Sequence, residues 1–356
     1  MTLNIDNAGN VSLAGRAVTS EAFWQEAKPK APDEERAPAF DVPFDATYAN
    51  RGGFDESFLG KNVTVYLPTL SSALTAVAAP LIASPKDNVL KYFNYSVVMH
   101  AKRRFAIYSA ANVRHNQRYK MGRPADVWRT DPRILAEHQV SNFYYKSNQF
   151  DRGHLTRRED LEFGKTAVVA PESAADTCHW TNCTPQHAKF NQGKSLWQGL
   201  EGYVLEQGLI KGNFEVQVFT GPILEEDDPV YKPYPQIQYP VRFWKVLAVL
   251  DENDELVATA YILDQSEVIA QYGIEEAAPY GAYQTFQVAI EEVERFTGLT
   301  FTCDLNGNPG QLRDHDPLPK NPTPRRRRTV RTGESAVIDS PEGYRSLLDL
   351  GDVILK

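Results

Sequence analysis

Asp151-Arg152-Gly153-His154, then Asn182-Cys183-Thr184-Pro185-Gln186, then Phe190-Asn191-Gln192-Gly193 is the stretch of this 356-residue chain that decides its reading. The order supplies an imidazole able to take a proton near neutral pH, a neutral amide oxygen able to hold a hard divalent cation, and a following helix able to carry a carboxylate. Those are the parts that phosphodiester hydrolysis needs. Each part alone has a plainer explanation. A single histidine is most often a core or capping residue, and an asparagine ahead of a helix is most often its N-cap. Asp151 has a purely structural alternative as well.

The three segments taken together resemble the DNA/RNA non-specific endonucleases, the ββα-metal or His-Me finger family. Its pattern is a DRGH box, a Ser/Thr-Asn-x-x-Pro-Gln stretch, and an Asn-Gln pair opening a helix with a Trp and a Leu-Glu. Here these are Asp151 to His154, Thr181-Asn182-Cys-Thr-Pro185-Gln186, Asn191-Gln192, and Trp197-Gln-Gly-Leu200-Glu201. An ordered match of this kind is far more specific than one short motif. A weaker likeness runs from about Phe93 to Leu299, through Phe219-Thr-Gly-Pro222 and Arg242-Phe-Trp-Lys245.

The resemblance implies an α+β, ββα-metal nuclease fold with a mainly antiparallel central sheet and flanking helices. It implies a metal-dependent endonuclease acting on DNA, and in second place RNA, without strong sequence specificity. His154 would be the general base at the end of a strand, with Asp151 and Arg152 supporting the site and Asn182 holding the loop geometry or orienting the metal-bound water. Asn191 would hold Mg²⁺, with Mn²⁺ able to substitute, and Glu201 would hold metal-bound water. Arg123, Arg157 and Lys189 are the candidate phosphate-binding residues, with Arg129 as the alternative to Arg123. One feature departs from the family: the interval from Asn191 to Glu201 is ten residues, longer than usual. In a continuous helix that is a rise of about 15 Å, so the assignment of Glu201 needs a bulge near Lys194-Ser195 or a late helix start. The competing reading, kept open by this interval, is an inactive nuclease-like protein that binds nucleic acid or a partner as a regulator.

Composition narrows the setting. With 38 basic and 46 acidic residues the net charge is −8, which argues against a general nucleic-acid coat, because phosphate binding is driven by Lys and Arg. Attraction must be local, and Arg103, Arg104, Arg152, Arg157, Arg158, Lys165, Lys189 and Lys194 are spaced to form a basic cleft, or else are scattered solvated charges. Cys178, Cys183 and Cys303 form neither a disulfide framework nor a zinc spacing. His179 and His187 flank the Asn182 stretch and are candidates to line the cleft, without zinc-ligand spacing. No secretory or transit pattern opens the chain and no stretch reaches the ~20 apolar residues that span a bilayer, so the expected location is cytoplasmic, with no membrane partner. An inhibitory or activating protein and a second copy of the chain are further candidate partners.

Residues 1–50 form a Pro/Ala/charged extension with a short helix expected around Glu21 to Ala27. Residues 51–313 form the endonuclease domain. Residues 314–356 form a Pro/Arg-rich linker and tail, marked by four prolines before Arg325 to Arg328. In the body, Phe93–Met99 and Phe105–Ala110 predict a hairpin about Lys102 to Arg104. Phe214–Phe219, Val241–Leu250 and Leu256–Leu263 predict further antiparallel strands. Thr156-Arg-Arg-Glu159 has capping-box spacing and predicts a short helix. Leu196, Leu200 and Val204 predict an amphipathic helix ending near Gly208, and Ser266 to Phe296 predicts a helix broken at Pro279 and Gly281.

Overall fold

The computed structural model describes residues 47–114, 119, 126–146, 148–164, 169–187, 215–266, 269–270, 284–318 and 344–347, with the backbone of three short strands nearer the start of the chain. The chain divides into two compact units. The smaller, Met1–Asp41 with Met121–Pro124, contains the strands Leu3–Ile5, Val11–Leu13 and Arg16–Ala17, which pair antiparallel in that order. The expected helix around Glu21 to Ala27 lies outside the described residues.

The larger unit is organised by an antiparallel sheet of eight strands. They are β1 (Val89–Lys91), β2 (Tyr95–Met99), β3 (Ala106–Arg114), β6 (Glu215–Ile223), β7 (Arg242–Leu250), β8 (Leu256–Asp264), β9 (Gln284–Val288) and β10 (Arg345–Leu347). Two more, β4 (Phe150–His154) and β5 (Cys183–His187), form a separate pair. The large sheet runs β10-β9-β8-β7-β6-β3-β2-β1, and every pairing is antiparallel. The predicted hairpin is β2–β3, with Arg104 in the turn at φ 63°, and β7–β8 close around residues 251–255 as their flanking turn signals require. The fold is thus α+β with a mainly antiparallel central sheet.

Its strands read as nearly continuous apolar runs because both faces are covered. Along β7, Phe243, Leu247 and Val249 enter one core while Trp244, Val246, Ala248 and Leu250 enter the other. The first core also takes Leu155, Leu161 and Phe163, from the segment just after His154. A polar row crosses the sheet there. Ser109, Thr220, Lys245, Tyr261 and Gln287 are successive cross-strand partners, and all are buried, Lys245 at 2% exposure. The Ser109 hydroxyl lies 2.7 Å from that of Thr156, which ties the sheet to the chain two residues past His154.

Three expectations change. Thr156 opens no capping box, since its hydroxyl is engaged by Ser109 and the helical turn is a 3-10 turn over Glu159–Leu161. The span 266–296 is not one interrupted helix, because β9 occupies Gln284–Val288 and the helix that follows, α2, covers only Ile290–Thr297. Gly298 at φ 71° ends α2 as a left-handed cap. Within the segment expected as linker and tail, Asp316 accepts a hydrogen bond from the Ile290 amide at 2.7 Å, and Arg345–Leu347 pair with β9 as an edge of the sheet. The amphipathic helix expected to end near Gly208 lies outside the described residues.

Gly221 shows how tightly β6 is fitted. A Cβ there would sit 2.6 Å from the Ile107 carbonyl oxygen and 3.0 Å from the Trp244 indole nitrogen. Backbone cannot yield as a side-chain tip can, so Gly221→Ala should destabilise by roughly 1–3 kcal/mol. Gly52→Ala, with nothing within 4 Å of the added carbon, should melt like the parent. Thermal unfolding of both variants checks this, and a Gly221→Ala protein with the parental Tm would contradict the packing.

Candidate active site

The Asp-Arg-Gly-His box is strand β4 and the Cys-Thr-Pro-Gln stretch is strand β5. They pair antiparallel, with Cys183 opposite His154, Thr184 opposite Gly153, Pro185 opposite Arg152 and Gln186 opposite Asp151. Proline is tolerated in this two-stranded pair because neither strand is central in a larger sheet. Gly153 is required by close approach: a Cβ there would lie 2.3 Å from the Gln186 carboxamide, so the glycine lets Gln186 fold across the strand.

Between the strands the chain makes an excursion that includes α1 (Val169–Asp176), and Asn182 closes it. Its buried carboxamide oxygen accepts from the Thr156 amide at 2.9 Å, and its nitrogen donates to the carbonyls of Thr156 at 2.9 Å and Thr177 at 3.0 Å. The Leu155 amide adds a bond to the Asn182 carbonyl at 3.0 Å. All of the side chain's described bonds go to backbone. In this structure Asn182 therefore shapes the loop beside His154, the loop-holding alternative for this residue.

Behind Asn182 lies a buried polar cluster. His179 Nδ1 is 2.6 Å from the Asp176 carbonyl, so that nitrogen carries the hydrogen, and Nε2, 2.7 Å from the Tyr48 hydroxyl, is the acceptor. Burial pushes the His179 pKa down, keeping it neutral. The Tyr92 hydroxyl bridges Asp131 and Thr181 at 2.6 Å each. Burial works to raise the Asp131 pKa, but the Arg133 guanidinium, bonded to both carboxylate oxygens, overrides it and holds the pKa down. Arg51 grips Asp176 through two bonds of 3.1 Å. His187 is fully buried too. Neither His179 nor His187 lines an open cleft, which corrects that expectation.

His154 ends β4 half-buried. Its Nε2 lies 3.8 Å from the Cys178 thiol, whose pKa is pushed up to about 11 by burial and by the Asp126 carboxylate, so the sulfur is protonated near neutral pH. The Trp128 ring centroid is 4.7 Å from that of His154. Neither neighbour stands out in the sequence. Trp128 lies in a charged stretch without apolar periodicity, and Cys178 has no paired spacing. The one available signal is that Cys178 falls four residues before Asn182.

The expected basic cleft is largely neutralised among the described residues. Arg103 is buried against Asp228, Arg157 contacts Glu159 at 2.6 Å and Asp160 at 3.7 Å, and Arg158 contacts Asp126 at 3.5 Å. Arg157 is thus tied to carboxylates rather than presented for phosphate. Arg152 is exposed, hydrogen-bonded to Asn142, with its guanidinium carbon 5.9 Å from the Trp180 ring centroid. Arg129 donates to the Val127 carbonyl at 3.0 Å. Arg123, Lys165, Lys189, Asn191, Lys194 and Glu201 lie outside the described residues, and among the described ones no three His, Cys, Asp or Glu side chains gather as a metal site.

Comparison with known proteins agrees with the motif reading. A sequence model of the DNA/RNA non-specific endonuclease family matches residues 73–308. Protein y4fB of Sinorhizobium fredii (strain NBRC 101917 / NGR234) is 36% identical over 272 residues, 72% of this chain and 40% of that protein. Human mitochondrial endonuclease G is 28% identical over 52% of this chain and 59% of its own, and the Bos taurus protein is 28% identical over 51% and 58%. The chain thus matches between two fifths and three fifths of the length of these relatives. A chain from the crystal structure of the EndoG/EndoGI complex aligns with a TM-score of 0.45 and 21% identity, over 60% of this chain and 84% of that one. With the family model matching most of the chain and the DRGH and Asn-x-x-Pro-Gln segments paired as adjacent strands, the chain belongs to the DNA/RNA non-specific endonuclease family.

Proposed function

We propose that the protein is a metal-dependent endonuclease that hydrolyses phosphodiester bonds in DNA, and in RNA as a second substrate, without strong sequence preference. The observation that carries this reading is the β4–β5 pair, which sets His154 at a strand end beside a loop locked by Asn182. His154 accepts a proton from the attacking water as the water's oxygen bonds to phosphorus; the bond from phosphorus to the 3′ oxygen breaks, and that oxygen takes a proton from solvent, leaving a 5′ phosphate and a 3′ hydroxyl. Asn182 and the Cys178 neighbourhood keep the imidazole at the strand end, and Arg152 offers the exposed cation next to it on the same strand.

Asn191 would hold the ion directly and Glu201 through water, a sparse oxygen donor set that suits Mg²⁺, which keeps most of its waters, with Mn²⁺ as substitute. When bound, the ion supplies positive charge for the phosphate and the leaving oxygen. Substrate contacts fall to Arg123 and Lys189, with Arg157 available only by leaving its carboxylates. A nuclease free among its host's nucleic acids would damage them, so an inhibitory or activating protein partner belongs to this proposal.

His154→Ala should lower cleavage of plasmid DNA by at least ~10², within the roughly 10² to 10⁴ that a general base contributes, with circular dichroism unchanged. A folded variant that cleaves at the parental rate would remove the assignment. Asn191→Ala should raise the Mg²⁺ concentration for half-maximal activity, with partial recovery at excess Mg²⁺. An unaltered metal titration would count against that ligand. Matched DNA and RNA digestions with Mg²⁺, Mn²⁺ or EDTA test the proposal itself. Nucleic-acid binding without cleavage in any metal would identify an inactive binding protein instead.

A further inference from the structure

His154 stands where the β4–β5 ladder ends, opposite Cys183, so the sheet fixes its Cα but not its ring. Among the described residues a continuous aromatic stack approaches that ring. Tyr145 lies against Trp180 at 5.7 Å and 20°, Trp180 against Trp128 at 5.1 Å and 27°, and Trp128 against His154 at 4.7 Å and 47°. The stack is rooted in the strand pair, since the Cys183 thiol donates to the Tyr145 hydroxyl at 3.2 Å.

The loop that carries Trp128 is held in place independently. The Arg129 amide donates to the Cys178 carbonyl and the Trp180 amide donates to the Arg129 carbonyl, both at 2.9 Å. Asp126 pairs with Arg158, four residues past His154. The same loop thus braces the segment supplying Cys178, whose sulfur is 3.8 Å from His154 Nε2. Indole and thiol together contact the imidazole from two pieces of chain that are bonded to each other.

We propose that Trp128 is a positioning residue for His154, its indole fixing the orientation from which the imidazole takes the proton. This rests on reading His154 as the general base. The Trp128 ring lies 4.7 Å from the imidazole, and a misplacement of a reacting group by about 1 Å can cost 10²-fold in rate, so a contact that fixes the ring's orientation bears on kcat. The cation formed by proton transfer also lies against an electron-rich ring, which favours it.

The test compares Trp128→Leu, which keeps apolar volume without a ring, with Trp128→Phe, which keeps a ring. Each is made in the parent and in His154→Ala, and kcat and KM are measured on plasmid DNA with Mg²⁺. Trp128→Leu should lower kcat by about 10- to 100-fold with KM nearly unchanged, and Trp128→Phe should recover most of the loss. In the His154→Ala background Trp128→Leu should cost nothing further, because it acts through the missing ring. If the Leu variant does not fold, Trp128→Met fills the space with a flexible, non-aromatic chain and is read the same way. Parental kcat in the folded Leu or Met variant, equal losses in it and in Phe, a loss confined to KM, or an additive loss in His154→Ala each overturns the positioning role. If His154→Ala itself keeps parental kcat, the general-base reading fails and this inference falls with it; an inactive His154→Ala with an additive Trp128 effect overturns the inference alone.

Discussion

The buried carboxamide of Asn182 is the contact on which the site's geometry hangs. One oxygen and one nitrogen answer three backbone groups, on Thr156 and Thr177, and so close the excursion between β4 and β5 at both ends. A net hydrogen bond is worth only about 0.5–1.5 kcal/mol, but a buried backbone group left without its partner costs about 1–3 kcal/mol. Replacing the amide would orphan several such groups at once. An ionised aspartate could accept from Thr156 but could not donate to either carbonyl, so shape alone does not satisfy this position.

The loop that Asn182 closes rests on a polar interior as well as on the apolar core that takes Leu155, Leu161 and Phe163. Two buried carboxylates, Asp131 and Asp176, are each matched by an arginine, Arg133 and Arg51, and neutral His179 sits between Tyr48 and the Asp176 carbonyl. Such pairs add little net stability compared with apolar packing, yet removing one partner strands a charge. Their contacts converge on the backbone of 176–182, where the Asp176 and Thr177 carbonyls are both engaged, the segment that carries Cys178, Trp180 and Asn182. The row from Ser109 to Gln287 links the sheet's apolar face to Thr156 through a hydroxyl pair.

Where the physics was local, the sequence was legible. The apolar runs about Lys102 to Arg104 and about residues 251–255 announced β2–β3 and β7–β8, since short turns between strands leave few alternatives. The DRGH and Asn-x-x-Pro-Gln segments announced the family but not that they are paired strands, because five residues of mixed polarity have no strand period. Thr156 misled because its capping partner is nearby in sequence while its real partner, Ser109, is 47 residues away. Gln284–Val288 was read as helix because its neighbours carry helical spacing, and only pairing with β8 makes it a strand. Trp128 and Cys178 had no pattern to betray them; their meaning comes from a loop bonded across 49 residues of chain.

Charge follows the same logic of commitment. Arginines that look like a phosphate-binding cluster in sequence are, in Arg103, Arg157 and Arg158, partners of Asp228, of Glu159 with Asp160, and of Asp126. None of these groupings carries net positive charge, so each contributes little long-range attraction for a polyanion. On a chain of net charge −8, the attraction proposed for nucleic acid falls to cations not consumed in building the fold, exposed Arg152 on the histidine's own strand among them. The Asp126–Arg158 pair shows what the consumed cations do instead: it fastens the Trp128 loop to the segment after His154, exchanging a charge that could have drawn a polyanion for one that holds two pieces of chain together beside the imidazole.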